Sequence, residues 1–268
     1  VGPPAADCRV SGLVRAMKRR LELADGQHVQ LLQGALELFP ALIQAMDAAR
    51  ADIQLETYIF DFTGAGASVA EALERAARRG VRARLVVDGV GTGRLPPVWH
   101  QRFQAAGVQC QVYSPLGPLG LLMPERWRRL HRKLCAVDGR VLFCGGINVL
   151  DDFYDPNYGI LDAPRFDFAV QATGDLAVQA SDTMETLWQR MQAVRDVRHH
   201  HLPDAVRALR AARAAQAAGH AAQPLPEPGQ RLRAALLLRD NVRNRARIEK
   251  AYLRAIGFAR KEIIIANA

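Results

Sequence analysis

No stretch of the 268 residues is apolar for the roughly 18–20 positions that a membrane-spanning helix needs. The four cysteines, Cys8, Cys110, Cys135 and Cys144, include no C-x-x-C pair, which argues against a zinc knuckle or a thioredoxin-like motif. Cys135 and Cys144 lie in apolar, strand-like runs and read as reduced, buried hydrophobes, which fits a reducing compartment. Acidic residues are the scarcer charge, 27 against 36 Lys and Arg. The net charge of +9 keeps nucleic acid, anionic lipid and phosphorylated substrates open as partners. An Arg- and Ala-rich composition is the plain alternative source of that charge. An initiator Met and a basic-then-apolar leader are both missing at Val1, so the chain reads as a processed or excised piece. His199, His200 and His201 have no partners at ligand spacing and read as a solvated patch rather than a metal site.

The pattern that is present is an alternation of strand and helix. Strands are expected at His28–Gln33, Asp52–Phe60, Val81–Asp88 and Val108–Tyr113. Helices are expected at Phe39–Arg50, at Ser68–Arg79 ending on Gly80, and at Val98–Ala106 ending on Gly107. Lys133–Val137 and Val141–Cys144 form a hairpin across the Asp138-Gly139 turn. A strand at Phe166–Ala172 and a helix at Leu176–Val194 follow. This order predicts an α/β fold, a largely parallel or mixed sheet covered by helices.

Four segments are expected. Residues 1–26 hold a basic amphipathic stretch, read either as a helix packed on the domain or as one lying on a membrane surface. Residues 27–195 form the main domain, and 196–230 are an Ala-, Arg- and Pro-rich helix and linker. In 231–268 the opening elements recur, with RKEIIIANA at 260–268 aligning with RADIQLETY at 50–58 and Leu232–Leu238 standing for His28–Gln33. That repeat stops just after its second strand begins. The loop at 116–129, apolar early and basic late, reads as a lipid-headgroup contact or as a cover for its own domain.

The chemistry concentrates in LHRKLCAVDGRVLFCGGIN, residues 130–148. His131, Lys133 and Asp138 stand in the spacing H-x-K-x4-D, and Gly145, Gly146 and Asn148 follow. Along an extended chain His131 and Lys133 share a side and Arg132 takes the other. An ammonium beside an imidazole favours its neutral form, which is a competent nucleophile toward phosphorus. Lys133 suits a phosphoryl oxygen, Asn148 offers an amide donor, and the glycine pair permits close backbone approach. Asp138 is read as orienting an imidazole or balancing the cations. Glu56 either faces the site or pairs with an arginine, and Asp88 is read as capping the Gly-rich turn that follows it. The H-x-K spacing occurs once.

This window resembles the HKD motif of the phospholipase D superfamily. LETYIF, AARRGVRARLVVDGVG, GGINVLDDF and RFDFAV resemble the bacterial cardiolipin synthases in order and spacing. The resemblance implies a phospholipase D-like mixed sheet flanked by helices, here one HKD half-domain with a truncated second repeat. It implies a phosphatidyltransferase working through a phosphohistidine on an anionic phospholipid such as phosphatidylglycerol. It implies that His131, Lys133, Asp138 and Asn148 form one half-site, shaped by Gly145 and Gly146, with either His role open to His131, and it implies no metal or other cofactor, since Lys133 and Asn148 do the anion work. A second HKD motif, from a longer protein or a second copy, is the implied partner. The implied place is peripheral, at the cytoplasmic face of the bacterial membrane. A phosphodiesterase acting on nucleic acid, a phospholipase and a non-catalytic lipid-binding half remain as alternatives, with nucleic acid the less favoured partner.

Overall fold

A computed structural model describes residues 23–114, 129–155, 158–198, 230–238 and 246–265. The chain divides into a larger unit, Gly26–Leu232, and a smaller one that joins Val1–Asp25 to Arg233–Asn267. The basic amphipathic stretch at 1–22, most of the 116–129 loop, His199–His201 and the Pro-rich linker lie outside the described residues.

The strands are β1 (Ala24–Gln33), β2 (Asp52–Thr57), β3 (Arg82–Asp88), β4 (Gln109–Tyr113), β5 (Leu134–Val137), β6 (Val141–Gly145), β7 (Tyr154–Asp155), β8 (Gly159–Ile160), β9 (Phe168–Thr173) and β10 (Gln230–Ala234). The helices are α1 (Gly34–Ala48), α2 (Gly64–Arg78), α3 (Pro97–Ala106) and α4 (Asp175–Arg198). The main sheet runs β10-β1-β9-β6-β5-β2-β3-β4, and β7 and β8 pair separately.

The sheet is mixed for a local reason. Helices α2 and α3 carry the chain back between strands, so β2, β3 and β4 lie parallel. At Asp138-Gly139 both residues take positive φ, 52° and 61°. That is the geometry of a tight hairpin turn, so β5 and β6 pair antiparallel, and β5 also runs antiparallel to β2.

Helices α1–α3 bury one face of the sheet under an apolar core that includes Leu42, Met46, Ile53, Leu73, Leu85 and Phe103. Helix α4 covers the other face, which is unusually polar. Gln54 Nε2 donates to Ser181 Oγ at 3.3 Å, and buried Arg84 pairs with Glu185 at 2.5 Å while stacking over Trp188. Alternation along β2 explains the split: Ile53 and Leu55 point into the apolar core, Gln54 and Glu56 toward α4.

Two boundaries differ from expectation for identifiable reasons. Helix α1 starts at Gly34, five residues before Phe39, because Gly34 takes φ +65° and the Asp152 carboxylate accepts the Ala35 N–H at 2.5 Å. That acceptor lies 117 residues away, beyond the reach of a local capping rule. The strand expected to reach Phe60 ends at Thr57, and Phe60 makes only an isolated bridge to Val149. Cys135 is buried as expected, whereas Cys144 is only partly so.

In the smaller unit, Arg233 Nε lies 2.9 Å from Asp25 Oδ1, and helix α5 (Arg247–Phe258) exposes Tyr252, Leu253, Ile256 and Phe258. The strand expected from 260 onward does not form at residues 262–265, where Ile263, Ile264 and Ile265 are exposed. Among the described residues no strand lies beside it to supply a ladder.

Candidate active site

The site stands where the chain enters β5. Residues 131–133 precede the strand and lie outside the ladder. The segment is pinned just before them: Leu130 N–H donates to Asp88 Oδ2 at 2.7 Å. Asp88 is fully buried at the end of β3 and also accepts the N–H groups of Val90 and Gly91, at 2.8 and 3.2 Å. It therefore caps the Gly-rich turn, as the sequence indicated, and also anchors the residue before His131.

His131 is exposed and Lys133 half-buried. Lys133 Nζ lies 3.3 Å from both ring nitrogens of His131 and 3.4 Å from its carbonyl oxygen. The Tyr58 ring packs against both, with its centroid 5.1 Å from that of His131 and 5.5 Å from the ammonium. Partial burial, then the Lys133 charge, hold the His131 pKa below the usual imidazole range, against an upward pull from Asp88. Burial lowers Lys133 too, opposed by the Asp167 carboxylate. The pair thus favours a neutral imidazole beside a cation, the arrangement the spacing suggested.

Lys133→Met removes the repulsion while leaving an apolar stem. The His131 pKa is expected to rise, because Asp88 then pulls with less opposition. An NMR titration of the His131 ring checks this; a pKa unchanged or lower would show that the ammonium is not what holds the ring neutral.

Asn148 lies on the loop after β6. Its Oδ1 accepts the Ile59 N–H at 3.1 Å, which ties that loop to the residue after Tyr58. With Oδ1 so engaged, the amide NH2 is the part left to serve as a donor.

The glycine pair has a different immediate purpose from the one expected. A Cβ on Gly145 would stand 2.4 Å from Ala169 Cα and 2.5 Å from the Phe168 carbonyl oxygen. On Gly146 it would meet Asp167 Oδ1 at 2.1 Å. The close approach is made by β9 and the Asp167 side chain, whose charge acts on Lys133. Gly145→Ala must push backbone against backbone and is expected to cost about 2–3 kcal/mol through overpacking. Thermal unfolding measures this, and an unaltered Tm would mean that β9 moves away freely.

Asp138 is not brought to the site. Its Oδ1 accepts the N–H groups of Ala51 and Asp52, both at 2.8 Å, and its Oδ2 accepts that of Arg50 at 2.9 Å. Strand β5 separates it from His131, up to about 23 Å for seven extended residues. The expectation that it orients an imidazole is corrected: it closes the turn between α1 and β2. Glu56 also faces away from His131. It is 1% exposed, on the α4 side, with its Oε2 2.7 Å from an Arg132 guanidinium nitrogen.

Sequence reasoning missed Asp167. Its segment was noted as a strand and as part of a resemblance, with no role for the carboxylate, and its isolation in RFDFAV, a single carboxylate entering an apolar strand, was the available signal. Tyr58, inside the LETYIF run, carried no assigned role in the sequence. Among the described residues no cluster of His, Cys, Asp or Glu has the makings of a metal site, and no helix is long and apolar enough to cross a membrane.

Residues 42–161 match the family model described as cardiolipin synthase, PLD-like domain. Cardiolipin synthase B of Escherichia coli K12 is 32% identical over 245 residues, 91% of this chain and 54% of that protein. Cardiolipin synthase 1 of Bacillus anthracis is 32% identical over 130 residues, 48% of this chain and 25% of that protein. Among solved structures, the phospholipase D family member Nuc from Salmonella typhimurium aligns with a TM-score of 0.45 and 20% identity, covering 60% of this chain and 94% of that one. The chain spans about half the length of the Escherichia coli relative that it matches. With that similarity running through the H-x-K and G-G-x-N segments alike, the chain belongs to the phospholipase D superfamily.

Proposed function

We propose that this chain supplies one half of a phosphatidyltransferase site of the cardiolipin synthase type. The observation that carries the reading is the neutral-leaning His131 in contact with Lys133. The similarity to proteins named cardiolipin synthase, over 91% of the chain, supports the substrate class.

In this reading one motif imidazole attacks the phosphorus of an anionic phospholipid such as phosphatidylglycerol. The bond to the leaving alcohol breaks, and that oxygen takes a proton from the imidazole of the second motif. The phosphatidyl group rests on the first imidazole until the second removes a proton from the incoming alcohol, whose oxygen attacks phosphorus and frees the histidine. His131 fills one of these two places. Lys133 and the Asn148 amide bear the charge that grows on the non-bridging oxygens. The second H-x-K motif comes from the rest of a longer protein or from a second copy. The protein works as a peripheral enzyme at the cytoplasmic membrane face, where its positive charge suits an anionic surface.

The test incubates this chain, and a protein carrying both motifs, with phosphatidylglycerol vesicles and follows glycerol release and lipid mass. Transfer by the two-motif protein is the expected result, and transfer by this chain alone means that two copies build the site. Cleavage of DNA without lipid turnover would replace the reading with a nuclease, and vesicle binding without turnover by either protein with a lipid-binding half.

A further inference from the structure

The described part of the segment that carries His131 and Lys133 is held from behind as well as from its ends. Between Leu130, bonded to Asp88, and Lys133, whose carbonyl accepts the Gly145 N–H at 3.3 Å, the chain has no ladder pairing. Alternation puts Lys133 with Cys135 on the α1–α3 side, and Arg132 with Leu134 on the α4 side. There the Arg132 guanidinium, about one-third exposed, reaches Glu56, which is buried in the middle of the sheet between β3 and β5.

We propose that Glu56 and Arg132 are a positioning pair, setting from the far side of the sheet where His131 and Lys133 stand. The inference rests on the reading of His131 and Lys133 as the phosphoryl-handling groups.

Three observations carry it. Glu56 has Arg132 as its counter-ion at 2.7 Å, and no other donor bonds its carboxylate oxygens among the described residues. The other cations on this face of β3 already have partners: Arg84 is matched by Glu185 on α4 at 2.5 Å and by Asp52 on β2 at 3.4 Å, and Arg82 by Asp52 at 2.7 Å. Arg132 is flanked in sequence by the two site residues, so moving its side chain moves their backbone. A buried carboxylate with a single cation is a poor source of stability compared with an apolar pair, and its best-attested use is to fix one arrangement among several.

The pair also has a switch. Burial pushes the Glu56 pKa up to about 7, against the pull of Arg132. Below that pH the carboxyl is neutral and its hold on Arg132 weakens; above it the ion pair is intact. Asp52 and Glu185, the other carboxylates of the layer, face Arg84 rather than Arg132.

The experiment follows the His131 ring and the Lys133 amide of this chain by NMR across the pH window centred near 7. In the wild-type chain both signals are expected to show a transition with the Glu56 midpoint, in addition to that of the imidazole. Glu56→Gln is expected to remove it. Arg132→Gln, which changes only a part-exposed side chain, keeps the measurement possible should the first variant not fold, and is expected to remove it as well. Arg132→Lys, which retains the charge, is expected to restore it in part. His131 and Lys133 curves that match the wild type in both glutamine variants would overturn the proposal. No turnover is needed, so loss of transfer in His131 variants alongside unchanged curves would sink the pair and leave the functional reading standing.

Discussion

His131→Ala, placed in a protein that carries both motifs, is expected to lower phosphatidyl transfer by on the order of 10⁴-fold or more, as loss of a nucleophile or its acid–base partner does. The fold should not notice. His131 is exposed, and its packing contacts among the described residues are the Lys133 ammonium and the Tyr58 ring. Substitutions at such positions usually lie within about 0.5 kcal/mol. The measurement pairs a vesicle transfer rate with a urea unfolding curve for the same preparation. Transfer near the wild-type rate would end the assignment, and a large shift in the unfolding midpoint would show that the rate loss reports damage to the fold. The pH profile adds a second constraint. A neutral imidazole is needed for attack, and the depressed His131 pKa keeps it neutral at pH 7. If His131 is the nucleophile, the rate falls only as the pH drops through that lowered value. If it is the proton donor, the rate instead rises as the imidazole gains its proton.

The elements most legible in the sequence were those with local causes. The alternation of apolar runs with amphipathic helices located β2, β3, β4, α2 and α3, because each buries its own face on its neighbours. The Asp138-Gly139 hairpin was legible because its positive φ values favour those residue types. What stayed hidden depended on distant partners. The start of α1 is set by Asp152, and the polar side of the sheet by α4 residues such as Ser181 and Glu185. The orientation of Glu56 was left open for the same reason: a carboxylate in a strand gives no sign of which face will be polar. The His131–Lys133 contact was readable from spacing alone, since two residues on one side of an extended chain are neighbours whatever surrounds them. Asp138 was misread because spacing along a motif is not proximity. Seven extended residues carry it to the other end of β5, and the short distance in sequence concealed a long one in space.

Asp138→Ala is therefore expected to do what loss of a catalytic group does not. The carboxylate accepts three backbone N–H groups, from Arg50, Ala51 and Asp52, where the chain turns from α1 into β2. Hydrogen bonds to a charged acceptor contribute about 1.5–3 kcal/mol each, and exposure at this end of the sheet lets water replace part of that. A net loss of about 3 kcal/mol is the reasonable scale. Two further variants separate the causes. Asp138→Asn keeps one acceptor oxygen and tolerates the φ of +52°, so it should lose less than the alanine variant. Asp138→Gly removes the acceptors but relieves the left-handed backbone, so it should recover about 1 kcal/mol relative to alanine. Urea unfolding of the three variants orders them, with asparagine the most stable and alanine the least. Below its unfolding transition, each should keep the His131 titration of the wild type, and a two-motif protein bearing it should transfer lipid within a few-fold of the normal rate. A variant that unfolds like the wild type yet transfers like His131→Ala would return Asp138 to the chemistry. Strand β5 thus has separate duties at its two ends in the proposed reading, with the carboxylate closing the fold at one and the imidazole and ammonium placed to meet phosphate at the other.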